Sequence, residues 1–195
     1  MQAKERQYYT PEEYLELETA AEYRSEYIDS QIIPMAGGLP NHNQIAGNFY
    51  AGLNYAFREK SYYVYMGDLR LWIPNYQLYT YPDVMIIEGD LEYASGRKDT
   101  VVNPLVIVEV LSNSTERYDR GEKFRRYRSI PTLKEYVLIN QKEMQVEQFV
   151  QNDRGQWLFA EYEGETAVLR LNSVEFSIPL VQLYNKVDFE IEEVE

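Results

Sequence analysis

Leu105-Val106-Ile107-Val108-Glu109-Val110-Leu111 is an apolar run interrupted by one carboxylate. Its length and β-branched content are those of a strand covered on both faces, as found at the centre of a sheet. Pleat alternation puts Glu109 on the side of Leu105, Ile107 and Leu111, with Val106, Val108 and Val110 on the other. A carboxylate in such a strand is costly unless it is paired, protonated or bound to a metal. A neighbouring Lys or Arg answers that requirement as well as a ligand role does, and Glu109 alone does not choose between them.

Downstream of this strand, Asn113-Ser114-Thr115 is a cap cluster opening a basic helix that runs to Arg128, before Pro131 stops it. Upstream, Tyr62–Met66, Leu69–Ile73 and Tyr79–Ile87 are rich in β-branched and aromatic residues and are expected to pair around the central run. Glu135–Asn140 and Met144–Gln151 complete the edge of that sheet. At the N-terminal side, Thr10-Pro11-Glu12-Glu13 carries the signals of a helix start. Tyr23–Ile28 and Ile32–Met35 read as a hairpin about Asp29-Ser30, and Gly37-Gly38 and Pro40 then break the pattern. Asn41 caps a second helix from about His42 to Lys60, in which Ile45, Phe49, Leu53 and Phe57 recur at helical spacing. Trp157–Tyr162 and Ala167–Leu171 suggest a hairpin around Gly164, and Pro179–Tyr184 a short helix. The fold class expected is α/β (α+β): a mixed sheet flanked by helices, with additional hairpins, in one domain spanning the 195 residues.

Composition removes several chemistries. With no cysteine and a single histidine, His42, disulfide frameworks, thiolate sites and multi-histidine zinc sites are absent by inventory. The opening MQAKERQYYTPEEY has no signal-peptide core, and no run approaches a membrane span, so a cytoplasmic bacterial-type protein is expected. A net charge of -13 opposes long-range attraction to a nucleic-acid backbone. The basic helix is the exception, carrying Arg117, Arg120, Lys123, Arg125, Arg126 and Arg128 against three acids.

Asp83 follows Pro82 at the start of Asp83-Val84-Met85-Ile86-Ile87. Alone it reads as a turn residue; paired with Glu109 from a neighbouring strand it offers the oxygen ligands that Mg²⁺ takes from one or two carboxylates. Lys123 lies four residues after Asp119, which fits an exposed ion pair or an ammonium brought back beside a metal. Glu26 could add a third acid, and His42 a base or a phosphate contact, although each also fits an ordinary structural polar group. The 19 tyrosines suit half-buried strands as well as base stacking, and decide nothing.

Pro82-Asp83, then Val108-Glu109-Val110-Leu111-Ser112, Ser114-Thr115, Asp119, Lys123 and Tyr127, then Pro131 and Glu135-Tyr136, together resemble the Uma-two family of restriction-endonuclease-like proteins, of the PD-(D/E)XK nuclease superfamily. The likeness runs from Tyr9 to about Phe176. It implies a mixed sheet flanked by helices with Asp83 and Glu109 as metal ligands. The superfamily's lysine sits two residues after the acid, where this chain has Leu111, so the resemblance implies a lysine moved to the following helix, matching Lys123. The family's hairpin often carries Asp-Gly where Asp29-Ser30 stands here.

The leading expectation is an endonuclease dependent on Mg²⁺ (or Mn²⁺) that hydrolyses phosphodiester bonds of nucleic acid, DNA first among substrates. Asp83 and Glu109 hold the ion, Lys123 orients or activates water, Glu26 supports the site, and Arg117, Arg120, Arg126 and His42 meet the nucleic acid. The competing expectation is a non-catalytic interaction module that keeps the nuclease scaffold. A homodimer rests on base rates alone.

Overall fold

The computed structural model describes residues 7–35 and 37–190. Its centre is the expected strand, β8 (Val106–Leu111), buried along its whole length. Around it lies a six-stranded mixed sheet in the order β11-β10-β9-β8-β6-β3. The neighbours are β3 (Tyr62–Met66), β6 (Val84–Glu88), β9 (Glu135–Asn140), β10 (Gln145–Gln151) and β11 (Trp157–Glu163). β8 runs parallel to β9 and antiparallel to β6. A parallel pair needs a crossover, and the basic helical segment is that crossover.

The two faces of β8 separate as alternation requires. Val106, Val108 and Val110 pack with Ile45, Phe49, Leu53 and Phe57 of α2 (Pro40–Phe57). Ile107 and Leu111 pack with Phe124, Tyr127, Tyr136 and Leu138. Leu105, placed in sequence on the second face, precedes the strand and packs with the valine side instead. Pro40 likewise opens α2 at its first position and does not precede it, because that position has no intrahelical use for an N–H.

Tyr79–Ile87 divides in two and Leu69–Ile73 leaves the central sheet, against the expectation that both pair around β8. β5 (Leu78–Thr80) belongs to a second sheet, β2-β1-β5-β4-β7, formed with β1 (Ser25–Ile28), β2 (Gln31–Pro34), β4 (Arg70–Ile73) and β7 (Thr100–Val101). Between β5 and β6 stands Pro82, which cannot donate to a ladder, so pairing stops there and the chain changes sheets. The turn of the β1–β2 hairpin is a two-residue connection with Asp29 and Ser30 both at positive φ, 51° and 63°, the conformation such hairpins need. The later hairpin is also rearranged. β11 pairs with β10, whereas β12 (Val168–Leu171) pairs with β13 (Phe176–Pro179), so the turn at Gly164 joins two sheets and closes no hairpin. β13 leads into α5 (Leu180–Leu183).

The basic segment is helical over 116–127 with an irregular middle: α3 (Glu116–Tyr118), a wide π turn (Asp119–Lys123) and α4 (Phe124–Tyr127). Such turns change the rotational phase of a helix and are frequent at functional sites. Asp119, Lys123 and Tyr127 all face inward from it and are buried.

Candidate active site

The β6–β8 ladder ends at Val84↔Val108. Beyond it, two backbone donors are taken by carboxylates: Val110 N–H donates to Asp83 Oδ2 at 2.7 Å, and Asp83 N–H to Glu109 Oε2 at 3.3 Å. The two acids thus satisfy each other's strand where the peptide ladder stops. This reciprocity explains why a Pro-Asp can begin β6 without an orphaned amide.

Glu109 is 3% exposed, and its other oxygen is shared by two residues of the helical segment. Tyr127 donates its hydroxyl to Oε1 at 2.7 Å, and Lys123 Nζ lies 2.9 Å from the same atom. Asp119 Oδ1 is 3.4 Å from Lys123 Nζ, and Glu26 Oε1 is 3.9 Å away. Glu26 comes from β1 of the second sheet and accepts the Thr80 hydroxyl. His42, in the first turn of α2, sets Nε2 3.1 Å from Asp83 Oδ2. Residues from β1, β6, β8, α2 and the crossover therefore meet, and they include Asp83, Glu109, Lys123 and Glu26, the four residues expected to carry the chemistry.

Four carboxyl groups consequently share one lysine and one histidine. Burial pushes the Glu109 carboxyl up to about 8, with Lys123 opposing the shift and Asp83 and Asp119 adding to it. Burial alone would lower the Lys123 ammonium, but Glu109, Tyr127, Glu26 and Asp119 outweigh it and hold the lysine well above its ordinary range. These shifts pull against each other, since a protonated Glu109 offers Lys123 no charge. Lys123 stays charged whichever form Glu109 takes, because Asp119 and Glu26 face the same ammonium. For His42, burial acts downward, and the hydrogen bond to Asp83 and its charge raise the pKa overall.

Among the described residues no group of three or more His, Cys, Asp or Glu side chains is arranged to hold a metal ion. Mg²⁺ does not require one, since it takes one or two carboxylates and completes its shell with water and substrate oxygens. The donors here suit a hard cation in chemistry and in charge. Asp83 and Glu109 offer only oxygen, the cluster has more acids than cations, and buried Asp119 Oδ1 accepts no hydrogen bond. Asp83 and Glu109 are the residues that could hold such an ion.

The arginines divide. Arg117 is exposed beside a shallow groove with Asn113, Glu116, Arg120 and Gly121. Arg120 is engaged by Glu116 and by Glu147 at 2.8 Å, pinning the crossover to β10. Arg126, expected to meet nucleic acid, is buried and places Nη2 2.8 Å from Asp29 Oδ2. Three residues after Lys123 it shares the inward side of the helix, so it braces the β1–β2 turn; that expectation is corrected. His42, expected as a base or a phosphate contact, is in contact with Asp83. Sequence reasoning missed two members. Tyr127 appeared only within the family motif and Asp119 as an exposed partner, although 119, 123 and 127 recur every four residues, the spacing of one helical face.

A model of the family described as "Putative restriction endonuclease", Uma2, matches residues 11–181. The chain belongs to the Uma2 family. Two relatives from Synechocystis sp. are both named as uncharacterized proteins. To sll1609 the chain is 39% identical, over 86% of its length and 92% of that protein. To slr1290 it is 35% identical, over 92% and 93%. The fold resembles a crystal structure titled as "a putative nuclease belonging to DUF820" from Anabaena variabilis, with a TM-score of 0.74 at 17% identity, covering 90% of this chain and 97% of that one. This Uma2 chain therefore has the restriction-endonuclease-like α+β fold anticipated from sequence. Among its described residues no helix is long and apolar enough to cross a membrane.

Proposed function

We propose that this Uma2 protein is a divalent-cation-dependent endonuclease that hydrolyses phosphodiester bonds, with DNA the first substrate. The observation that carries the reading is the meeting of Asp83, Glu109 and Lys123, drawn from three elements, with Glu109 contacting both of the others. Family membership and the nuclease title of the structural neighbour support it.

Asp83 and Glu109 hold Mg²⁺ or Mn²⁺, which when bound polarises a phosphoryl oxygen and neutralises charge on it. His42 and Val110 N–H fix the Asp83 carboxylate, and Tyr127 and Lys123 fix that of Glu109. Lys123, held as an ammonium, cannot accept a proton; it donates, orienting the attacking water or stabilising negative charge on the phosphorus-bound oxygens. Glu26 limits where that ammonium can go. Arg117 supplies an exposed phosphate contact.

The test is incubation of the purified protein with Mg²⁺ or Mn²⁺ and single-stranded, duplex and branched DNA, beside Asp83→Ala and Glu109→Ala. Cleavage abolished in both variants is expected. Intact substrates together with no cation-dependent rise in thermal stability would instead identify an interaction module on a nuclease scaffold, because a ligand that binds the native state must stabilise it.

A further inference from the structure

Lys123 Nζ rests on Glu109 Oε1 at 2.9 Å, on one of the two carboxylates expected to receive a divalent ion. The same ammonium is 3.4 Å from Asp119 Oδ1, a buried carboxylate oxygen that accepts no hydrogen bond. One ammonium therefore stands between a carboxylate oxygen it contacts closely and a second, at ion-pair distance, to which it makes no hydrogen bond. Asp119 and Lys123 stand four residues apart on the helical segment, the spacing of one face, and both point inward. A divalent ion arriving at Glu109 repels the ammonium and competes for its oxygen, and a buried ammonium that loses a partner without gaining another is strongly disfavoured. Asp119 removes that obstacle.

Resting on the divalent-cation reading above, we propose that Lys123 occupies Glu109 in the ion-free protein and is handed over to Asp119 when the ion binds, making Asp119 a positioning residue for the lysine. Asp119 Oδ1, which still has room for a hydrogen bond, is then the receiving half of a two-position arrangement. The handover also leaves the ammonium charged and within the site.

The test uses Mn²⁺ alone as probe on the full chain, with affinity from calorimetry and thermal shift. Lys123→Met removes the competitor and binds about ten-fold tighter, and Asp119→Asn removes the anionic receiving acceptor and binds about ten-fold weaker. In the double variant the Asp119 effect disappears, because it acts through the lysine. An Asp119→Asn penalty that persists without Lys123 makes Asp119 a direct ligand and overturns the handover. Wild-type crystals grown with Mn²⁺ supply a measurement independent of any variant's folding. Lys123 Nζ nearer Asp119 Oδ1 than Glu109 Oε1 supports the proposal; a lysine still on Glu109 overturns it while leaving the cation reading intact. No Mn²⁺ binding by any form removes both.

Discussion

Tyr127→Phe deletes one oxygen and little else. The hydroxyl donates to Glu109 Oε1 at 2.7 Å in a fully buried setting, while the ring packs edge-on against Tyr136 at 5.4 Å, a contact that phenylalanine keeps. Burial first, and then the neighbouring Glu109 charge, hold the phenol well above its ordinary pKa, so it is a neutral donor across the accessible pH range. A hydrogen bond to a charged or partly charged group contributes about 1.5–3 kcal/mol net. For a domain of this size each kcal/mol moves the melting temperature by roughly 2–4 °C, so a fall of about 3–12 °C is expected. Urea unfolding followed by fluorescence of Trp72 and Trp157 should show a lower midpoint at unchanged slope, since no surface is newly exposed. Pairing the change with Glu109→Gln in a double-mutant cycle isolates the contact. A loss within about 0.5 kcal/mol, the range of neutral surface substitutions, would refute the claim that this hydroxyl holds the glutamate.

Burial raises the Glu109 carboxyl above its ordinary range, so over the window in which only the folded chain holds that proton, stability falls as pH rises. The stability of wild type relative to Glu109→Gln should therefore decline across that window in urea melts, and a flat difference rules the shift out. His42→Ala removes the side chain contacting Asp83 Oδ2. Since the groups that orient metal ligands typically govern about ten-fold or more of metal affinity, Mn²⁺ titration should show a loss of that order; unchanged affinity means His42 does not position Asp83. Ser30 sits at φ 63°, a left-handed conformation that costs a non-glycine residue about 1 kcal/mol or more, so Ser30→Gly should raise the unfolding free energy from urea melts by about that amount, and no gain would rule the strain out.

Much of this architecture is legible locally. The central strand, its two faces and the packing stripe of α2 follow from periodicity, because alternation of side chains on a strand and the repeat of a helix are properties of the backbone itself. Glu109 stood out because a carboxylate at the centre of an apolar strand demands compensation, and Asp83 gained meaning only when paired with it. Spacing left Lys123 between an exposed ion pair with Asp119 and a place beside the acids, and only the family resemblance chose the second. What local pattern could not supply was the identity of partners. Arg126 and Lys123 are both basic and lie on one helix, yet one braces a hairpin through Asp29 and the other enters the site; charge patterning does not say which side of the helix is covered. Tyr127 carried no role of its own in the sequence, because a tyrosine's ring and hydroxyl report different things and only the placement of Glu109 makes the second matter.

Glu26 and the division of Tyr79–Ile87 show where the tertiary structure alone decided. Pro82 was visible as an interruption, but whether the chain turns, bulges or changes sheets after it depends on which edges are available to pair. The second sheet accepts β5, and in doing so brings Glu26 to within 3.9 Å of Lys123. The sequence by itself determined which residues are costly to bury. Which of them compensate one another was set by pairing between strands distant in the chain, since electrostatic and hydrogen-bond energies depend on separation in space and carry no trace of separation in sequence.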